Sequence, residues 1–246
     1  MKMTLVNWNV MWASPRAYSR SPEIRKRIAA HSPDVVCLTE THTEMLSPSG
    51  GHIICSQADA GYGIRENMRK VMLWSRQPWE RVDDLGDDAM PPGRYVSGVT
   101  QTPIGEVTVM GICIPWHGSR TRKERGAERK KVWEDHTIYL KCLIELIDRM
   151  PDMPMIVVGD FNQSIGQKRY APPLYMRAAV QDATPRHMTI ATSALGYDGR
   201  RTIDHTALSN DLAAESLSVI SNKHGDVELS DHFGTAATLS IRGISS

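Results

Sequence analysis

The chain has 246 residues, which is enough to bury a large core, and nothing in its composition requires a second unit, so we expect one domain spanning residues 1–246. Lysine and arginine together number 29, against 28 aspartates and glutamates. This balance excludes a globally basic coat for binding nucleic acid, although a local basic face stays open.

The first half of the chain alternates strand and helix patterns. Residues 3–9 alternate as a strand does, and Ser21 and Pro22 predict the N-cap and first position of a helix that Pro33 ends. The apolar run at residues 34–39 is typical of a strand buried on both faces. Further strands are predicted at residues 52–55, 70–74, 95–101 and 106–114, the last two joined as a hairpin.

The second half begins with the longest helical pattern, at residues 132–150, which Pro151 ends. Strands are then predicted at residues 155–159, 203–209, 217–222 and 235–241. Strands that are apolar on both faces need cover on each side, whereas hairpin-like pairs do not. The mixture therefore predicts an α/β sandwich of two sheets covered by helices.

Targeting signals and reactive cysteines are not expected. The first ten residues are too short and polar for a signal peptide, and no stretch has the roughly 18 apolar residues of a membrane span. The four cysteines are far apart and lack a C-x-x-C pair, which predicts reduced, buried thiols. We therefore expect a cytoplasmic protein without membrane contact.

Polar clusters follow the apolar runs and carry the chemistry. Glu40 lies at the end of an apolar strand, where a carboxylate is costly unless it is paired or bound to a metal. Asp160 and Asn162 flank Phe161, so in extended backbone both side chains point to one face, where they could hold a water and a phosphate oxygen. In isolation, the Gly-Asp-Phe-Asn sequence is more typical of a turn with side-chain-to-backbone hydrogen bonds.

Asp231 and His232 form the most informative pair. Asp231 offers an oxygen ligand for a hard cation such as Mg²⁺, and His232 can move a proton near neutral pH. A histidine in that role needs a partner on its other ring nitrogen, and Asp204, at the start of another strand, is placed to provide it. A lone Asp-His step is usually a surface turn, so the joint occurrence of the clusters is what favours a site.

The order of these clusters resembles the endonuclease/exonuclease/phosphatase superfamily, which includes deoxyribonuclease I-like and exonuclease III-like enzymes. Asn-Trp-Asn, Thr-Glu, Gly-Asp-Phe-Asn, Ile-Asp-His and Ser-Asp-His occur in sequence between residue 4 and about residue 240. The resemblance implies a four-layer α/β sandwich, with two mixed sheets face to face and helices outside. It also implies hydrolysis of a phosphoester that depends on Mg²⁺ or Mn²⁺.

The resemblance also implies roles for individual residues. Asn9, Glu40 and Asp231 would hold the metal. Asp160 would orient or deprotonate the attacking water, and Asn162 would stabilise the oxyanion of the transition state. His232, steadied by Asp204, would contact the scissile phosphate or act as acid and base.

One position departs from the superfamily pattern. Many members carry a His or Tyr that contacts phosphate on the strand that here contains Cys113, and cysteine replaces neither donor well. His117 could reach the site instead, and an ordinary loop histidine is an equally open interpretation. Arg94, before the strand at residues 95–101, is a further candidate for phosphate contact.

A basic stretch at residues 119–131 includes Arg120 and Arg122 and could hold a nucleic-acid backbone, although a solvated loop explains it equally well. Several tryptophans could likewise stack on bases, or belong to the core. The sequence favours a nuclease. A phosphodiesterase or phosphatase acting on a small or lipid-derived phosphoester, and a catalytically silent binding module, stay open, as does the oligomeric state.

Overall fold

The computed structural model describes residues 1–16, 20–61, 63–121, 130–165 and 188–243. In these residues the helices are α1 (Ser21–Ala30) and α2 (Glu134–Asp148), with a 3-10 turn at Ser47–Ser49. The strands are β1 (Met3–Asn9), β2 (Val35–His42), β3 (His52–Cys55), β4 (Met68–Ser75), β5 (Trp79–Asp83), β6 (Tyr95–Thr102), β7 (Gly105–Cys113), β8 (Met155–Asp160), β9 (Met188–Ile190), β10 (Gly196–Tyr197), β11 (Arg200–Arg201), β12 (Asp204–Ser209), β13 (Leu212–Ile220), β14 (Lys223–His224), β15 (Val227–Glu228) and β16 (Gly234–Ile241).

The strands form two six-stranded sheets and two short hairpins. The first sheet has the order β13-β16-β1-β2-β4-β3, and the second has the order β5-β6-β7-β8-β12-β9. Strands β1 and β2 are parallel, as are β7 and β8, and the other neighbouring pairs are antiparallel. Both sheets are therefore mixed, as the sequence predicted.

Three apolar clusters separate four layers. The sheets face each other through buried side chains such as Leu5 and Val71 from the first sheet and Val107 and Val158 from the second. Helix α1 packs on the outer face of the first sheet, and α2 packs on the outer face of the second. Burial of apolar side chains on both faces of the central strands supplies the main stabilising term. The predicted four-layer α/β sandwich is confirmed.

Several predicted boundaries need correction. Helix α1 has Arg20 rather than Ser21 at its N-cap, and the Ser21 hydroxyl donates instead to the Ser14 carbonyl at 2.5 Å. Helix α2 begins at Glu134, because Trp133 has a left-handed backbone with φ 71°. Strand β13 begins at Leu212 rather than residue 217. It lies at a sheet edge with much of its length exposed, so it lacks the apolar run that marks the central strands.

Strand pairing brings the polar clusters to one end of the sandwich. Strands β1 and β8 end there, whereas β12 and β16 begin there. The register sets Asp204 beside Asp160, and it sets Asn9 beside Thr39. Residues from distant parts of the sequence therefore share one edge, where side chains leave the apolar interior.

Candidate active site

A buried histidine and aspartate form a pair at this edge. His232 Nδ1 lies 2.6 Å from Asp204 Oδ2, so the imidazole donates to the carboxylate. Asp204 is 1% exposed, and its Oδ1 has no hydrogen-bond partner among the described residues. Burial disfavours a charged imidazole, but the charge and hydrogen bond of Asp204 outweigh this effect and raise the pKa of His232 to about 10. The pair therefore fixes the ring and favours its protonated form.

The backbone around His232 is anchored to strand β1. The indole Nε1 of Trp8, a fully buried core residue, donates to the His232 carbonyl at 2.8 Å. The Ser230 hydroxyl donates to the Asn9 carbonyl at 2.6 Å and accepts the His232 backbone N–H at 3.2 Å. Packing of the core therefore fixes the position of the imidazole ring.

Asp160 ends strand β8 and is 2% exposed. Its Oδ2 accepts the Asn9 side-chain amide at 3.1 Å, and its Oδ1 accepts the Asn162 backbone N–H at 2.8 Å. Burial, followed by repulsion from Asp204, raises the pKa of Asp160 to about 7, although the His232 charge acts in the opposite direction. Two close, buried carboxylates therefore share this edge with one imidazole.

Asn162 does not continue the strand. Of the two alternatives that the sequence offered here, extended backbone and a turn, the structure has the turn, because β8 ends at Asp160 and Asn162 has φ 53°. The hydrogen bond from the Asn162 N–H to Asp160 Oδ1 closes a turn instead. The Asn162 amide donates to the Ile114 carbonyl at 2.8 Å, which fixes the side chain beside the end of β7.

Glu40 is paired with a lysine that sequence reasoning did not assign. Lys70 Nζ lies 2.6 Å from Glu40 Oε1, and the two side chains are 6% and 24% exposed respectively. The same ammonium lies 5.1 Å from the centroid of the Trp12 ring. Glu40 has a positive φ of 47°, and the register of β2 with β4 continues without a shift on either side of it. A proposed metal ligand is therefore held by a cation from the neighbouring strand.

Asp231 lies at the solvent side of the pair. Its side chain is 59% exposed, and its Oδ1 is 3.9 Å from His232 Nε2. In the described residues, the His, Cys, Asp and Glu ligand atoms that could share a metal ion belong to Asp160, Asp204 and His232, and they lie within 4.8 Å of one another. Asn9 contacts this group through Asp160. Glu40 is paired with Lys70, and its charge also contributes to the raised pKa of Asp160.

The charge balance of this edge suits a hard cation. Asp160 and Asp204 are buried, and repulsion between them contributes to the raised pKa of Asp160. Glu40 and Asp231 add two further carboxylates, whereas Lys70 and His232 supply the positive charge nearby. Oxygen donors of this kind suit a hard divalent cation rather than a softer metal.

Arg94 and Cys113 both face the protein interior. Arg94 is 2% exposed, and its guanidinium lies 3.5 Å from the Cys113 carbonyl and 3.3 Å from the Ser119 hydroxyl. Cys113 packs in the core between the sheets, and burial raises the pKa of its thiol to about 12. In this conformation neither side chain is at the surface, where a phosphate could meet it.

The loop after β7 presents aromatic side chains. His117 is exposed, with its ring 4.8 Å from that of Trp116 and 5.4 Å from that of Trp133. The Trp116 side chain is exposed as well. Arg120 is partly buried, and Arg122, with the rest of the basic stretch at residues 122–129, lies outside the described residues.

Two positioning residues were missed from the sequence. Asn7 lies between the sheets, and its amide is 3.2 Å from the Gly159 carbonyl and 3.3 Å from the His205 carbonyl. In the sequence, Asn7 is recognisable as a polar residue within a predicted strand. Lys70 likewise directly precedes the apolar residues 71–74, and a buried lysine requires a partner.

The sequence of this chain matches the model of the endonuclease/exonuclease/phosphatase family over residues 6–232. The chain belongs to this family. A comparison with curated proteins finds no match.

Solved structures of family members share the fold. The 3′ phosphatase NExo from Neisseria, bound to a product DNA hairpin, has a TM-score of 0.71 and 18% identity, covering 98% of this chain and 100% of that one. An AP endonuclease from Archaeoglobus fulgidus has a TM-score of 0.68 and 15% identity, with coverage of 96% and 98%. TDP2 from D. rerio, complexed with a single-stranded DNA product, has a TM-score of 0.63 and 14% identity, with coverage of 97% and 99%.

Neither described helix is long and apolar enough to cross a membrane.

Proposed function

We propose that this protein is a divalent-metal-dependent phosphodiester hydrolase that acts on nucleic acid. The observation that carries the proposal is the buried group of Asp160, Asp204 and His232, whose ligand atoms lie within 4.8 Å of one another at the open edge of the sandwich. A carboxylate with a raised pKa beside an oriented imidazolium supports a hydrolytic site.

The residues divide into a cation-holding set and a reacting set. Asn9, Glu40 and Asp231 would hold Mg²⁺ or Mn²⁺, with Lys70 keeping Glu40 in position through its 2.6 Å contact. When bound, the ion would neutralise charge that develops on the phosphate oxygens. The remaining chemistry falls to the side chains around Asp160 and His232.

Asp160 would orient the attacking water and accept its proton. Its carboxylate is held in place by hydrogen bonds from Asn9 and Asn162, which leave it little freedom to rotate. The Asn162 amide has two N–H donors, of which one is given to Ile114, and the other would donate to a non-bridging oxygen.

His232 would face the scissile phosphate through Nε2. Its Nδ1 is committed to Asp204, so only the other ring nitrogen is directed away from the pair. The raised pKa of His232 keeps the ring positive at neutral pH, which suits contact with a phosphate oxygen and protonation of a leaving oxygen. Asp204 stabilises that charge through its hydrogen bond to Nδ1.

We propose nucleic acid as the substrate class. Related structures contain DNA in their own sites, namely a product hairpin in the Neisseria 3′ phosphatase and a single-stranded product in TDP2. In this chain Trp116, with 53% of its surface exposed, lies near the edge that carries Asn162 and could stack on a base. These features support a nuclease over an enzyme for small phosphoesters.

The test compares substrates with and without chelation. Hydrolysis of bis(p-nitrophenyl) phosphate, single-stranded DNA, duplex DNA, abasic DNA, RNA and inositol phosphates would be measured with Mg²⁺, with Mn²⁺ and with EDTA. We expect turnover of at least one nucleic acid that EDTA abolishes. Undiminished turnover after exhaustive chelation would overturn the metal requirement, and turnover of inositol phosphates alone would overturn the substrate class.

Matched aspartate variants test the proposed division of roles. Asp160→Asn keeps the shape but removes the charge, so we expect a lower kcat with little change in metal affinity. Glu40→Ala should instead weaken metal binding, measured by calorimetry. Asp211→Asn, an exposed aspartate at the far end of the sandwich, is the control and should match the wild type.

A further inference from the structure

A short β-hairpin with a two-residue turn lies beside the catalytic pair and has no role in the function proposed above. Strands β10 and β11 are joined by Asp198 and Gly199, with φ 51° and 74°. Two successive positive φ angles define a type I′ turn, and Asp-Gly is one of the sequences that favour it. The turn is tight and well specified, so the hairpin presents the arginines that follow it in a defined direction.

The hairpin is fixed to the segment that carries the catalytic histidine. The Tyr197 hydroxyl donates to the Ser221 hydroxyl at 3.0 Å, and the Tyr197 ring lies 5.8 Å from that of Phe233. Lys223 Nζ lies 2.7 Å from Asp198 Oδ2. These contacts hold the hairpin at three points, so its position relative to His232 is set before any substrate binds.

The hairpin forms one wall of a cavity of about 160 Å³. Arg200 donates to the Asp231 carbonyl at 3.2 Å, and Arg201 donates to the Ala194 carbonyl. One of the five N–H donors of each guanidinium is thereby used to hold it in place. The cavity is lined by Arg200, Arg201, Thr202, Asp204, His232 and Phe233, among others.

The charge of this cavity favours an anion. Arg200 and Arg201 contribute two guanidinium groups to the lining, where Asp204 is hydrogen-bonded to His232, and the exposed Asp231 is the other carboxylate. Guanidinium groups bind phosphate oxygens through paired N–H donors and keep their charge at any physiological pH. The volume suits a compact, tetrahedral group.

We infer that Arg200 and Arg201 form a subsite for a second phosphate group of the substrate, next to the scissile phosphate. The inference rests on the proposed function, because it places the scissile phosphate at His232 Nε2. A phosphate on the adjoining nucleotide would then enter the cavity and select substrates that carry negative charge on both sides of one nucleoside.

The second phosphate could come from two sources. It is either the next diester of a longer strand or a terminal monophosphate on a short one. A set of thymidine oligonucleotides separates them: TpT has neither, TpTpT has a second diester, and pTpT and TpTp each have a terminal monophosphate. Bis(p-nitrophenyl) phosphate has the reacting diester alone.

The kinetic test uses the double variant Arg200→Ala/Arg201→Ala. For the substrate whose second phosphate occupies the subsite, we expect KM to rise by about 10- to 100-fold, because charge-assisted hydrogen bonds are lost. The loss on bis(p-nitrophenyl) phosphate should be at least about tenfold smaller. Arg242→Ala removes an exposed arginine after the far end of β16 and should match the wild type on every substrate.

Equal losses on all substrates, or no loss on any, would overturn the subsite. A binding measurement keeps the result independent of turnover. Calorimetric titration of thymidine 3′,5′-bisphosphate and thymidine 3′-monophosphate into Asp160→Asn protein should show tighter binding of the bisphosphate. The advantage should disappear when Arg200 and Arg201 are also replaced. If the wild type hydrolyses nothing but the bisphosphate advantage is present and lost as expected, the proposed function fails and the anion subsite stands.

Discussion

Asp204 and His232 are 28 residues apart in the sequence, yet their Oδ2 and Nδ1 atoms lie 2.6 Å apart at the edge of the sandwich. Strand β12 delivers the carboxylate from the second sheet, and the segment before β16 delivers the imidazole from the first. The pair thus links the two sheets, and its geometry depends on how they face each other.

Asp204→Asn should lower kcat by about 10- to 1000-fold with little change in metal affinity, because the amide cannot stabilise the imidazolium. His232→Ala should cost at least as much. The double variant should be hardly worse than His232→Ala alone, since the two residues act as one unit. Steady-state kinetics and calorimetry of metal binding check this expectation, and fully additive losses would show that the residues work independently.

Lys70→Met should destabilise the metal-free protein by about 1 to 3 kcal/mol, because it leaves the partly buried Glu40 carboxylate without its cation. Mg²⁺ should restore part of this stability, so the rise in Tm on adding Mg²⁺ should exceed that of the wild type. Differential scanning calorimetry measures both values. The control is Lys2→Met, because Lys2 is paired with Glu215 on the surface, where a comparable change should be small. An unchanged Tm shift for Lys70→Met would contradict the proposed link to the metal site.

Gly159→Ala should destabilise the fold by about 2 to 5 kcal/mol and displace Asp160. Gly159 has φ 143°, and an added Cβ would lie 1.9 Å from the Ile112 carbonyl oxygen on the neighbouring strand. Gly105→Ala is the matched control, since Gly105 has φ 106° with no atom within 4 Å of the added Cβ. Denaturant unfolding should therefore show a clearly larger loss of unfolding free energy for Gly159→Ala. Equal losses for the two variants would mean that the positive φ, and not the clash with Ile112, causes the destabilisation.

The free energy of unfolding should fall in acid, because His136 is buried in its neutral form. Burial lowers the pKa of His136 to about 4, from an ordinary value of 6.5, although its hydrogen bond to the Pro115 carbonyl opposes this. Below pH 6.5 the unfolded chain binds a proton that the folded chain does not. The contribution of His136 is therefore complete above pH 6.5 and is lost as the pH falls towards 4, by about 1 to 3 kcal/mol.

His136→Asn isolates this term from the others. The raised pKa of Asp160 acts in the opposite direction over part of the same range, but equally in both proteins. The difference in unfolding free energy between the wild type and His136→Asn should shrink as the pH falls from 6.5 to 4. Denaturant titrations at a series of pH values measure it, and parallel curves would contradict the assignment.

The sequence by itself determined the layers of the fold and the positions of the polar clusters. Apolar runs gave the central strands, because a strand buried on both faces leaves an unmistakable pattern, and Pro33 and Pro151 marked where helical patterns stop. The start of edge strand β13 was predicted at residue 217 instead of Leu212, because the exposed residues of this strand carry no such pattern. Asp204 could be named as a partner for His232 from its strand-start position, together with the family resemblance.

Only the tertiary structure decided which side chains meet. The pairing of β2 with β4 sets Lys70 against Glu40, and no local pattern specifies that contact. Arg94 and Cys113, which the sequence offered as candidates for contact with phosphate, are both buried in the structure. The turn at Asp198 and Gly199 was not predicted, and its place beside His232 depends on contacts with residues 221–233. Local sequence specifies strands and turns, whereas non-local packing determines which of their ends converge.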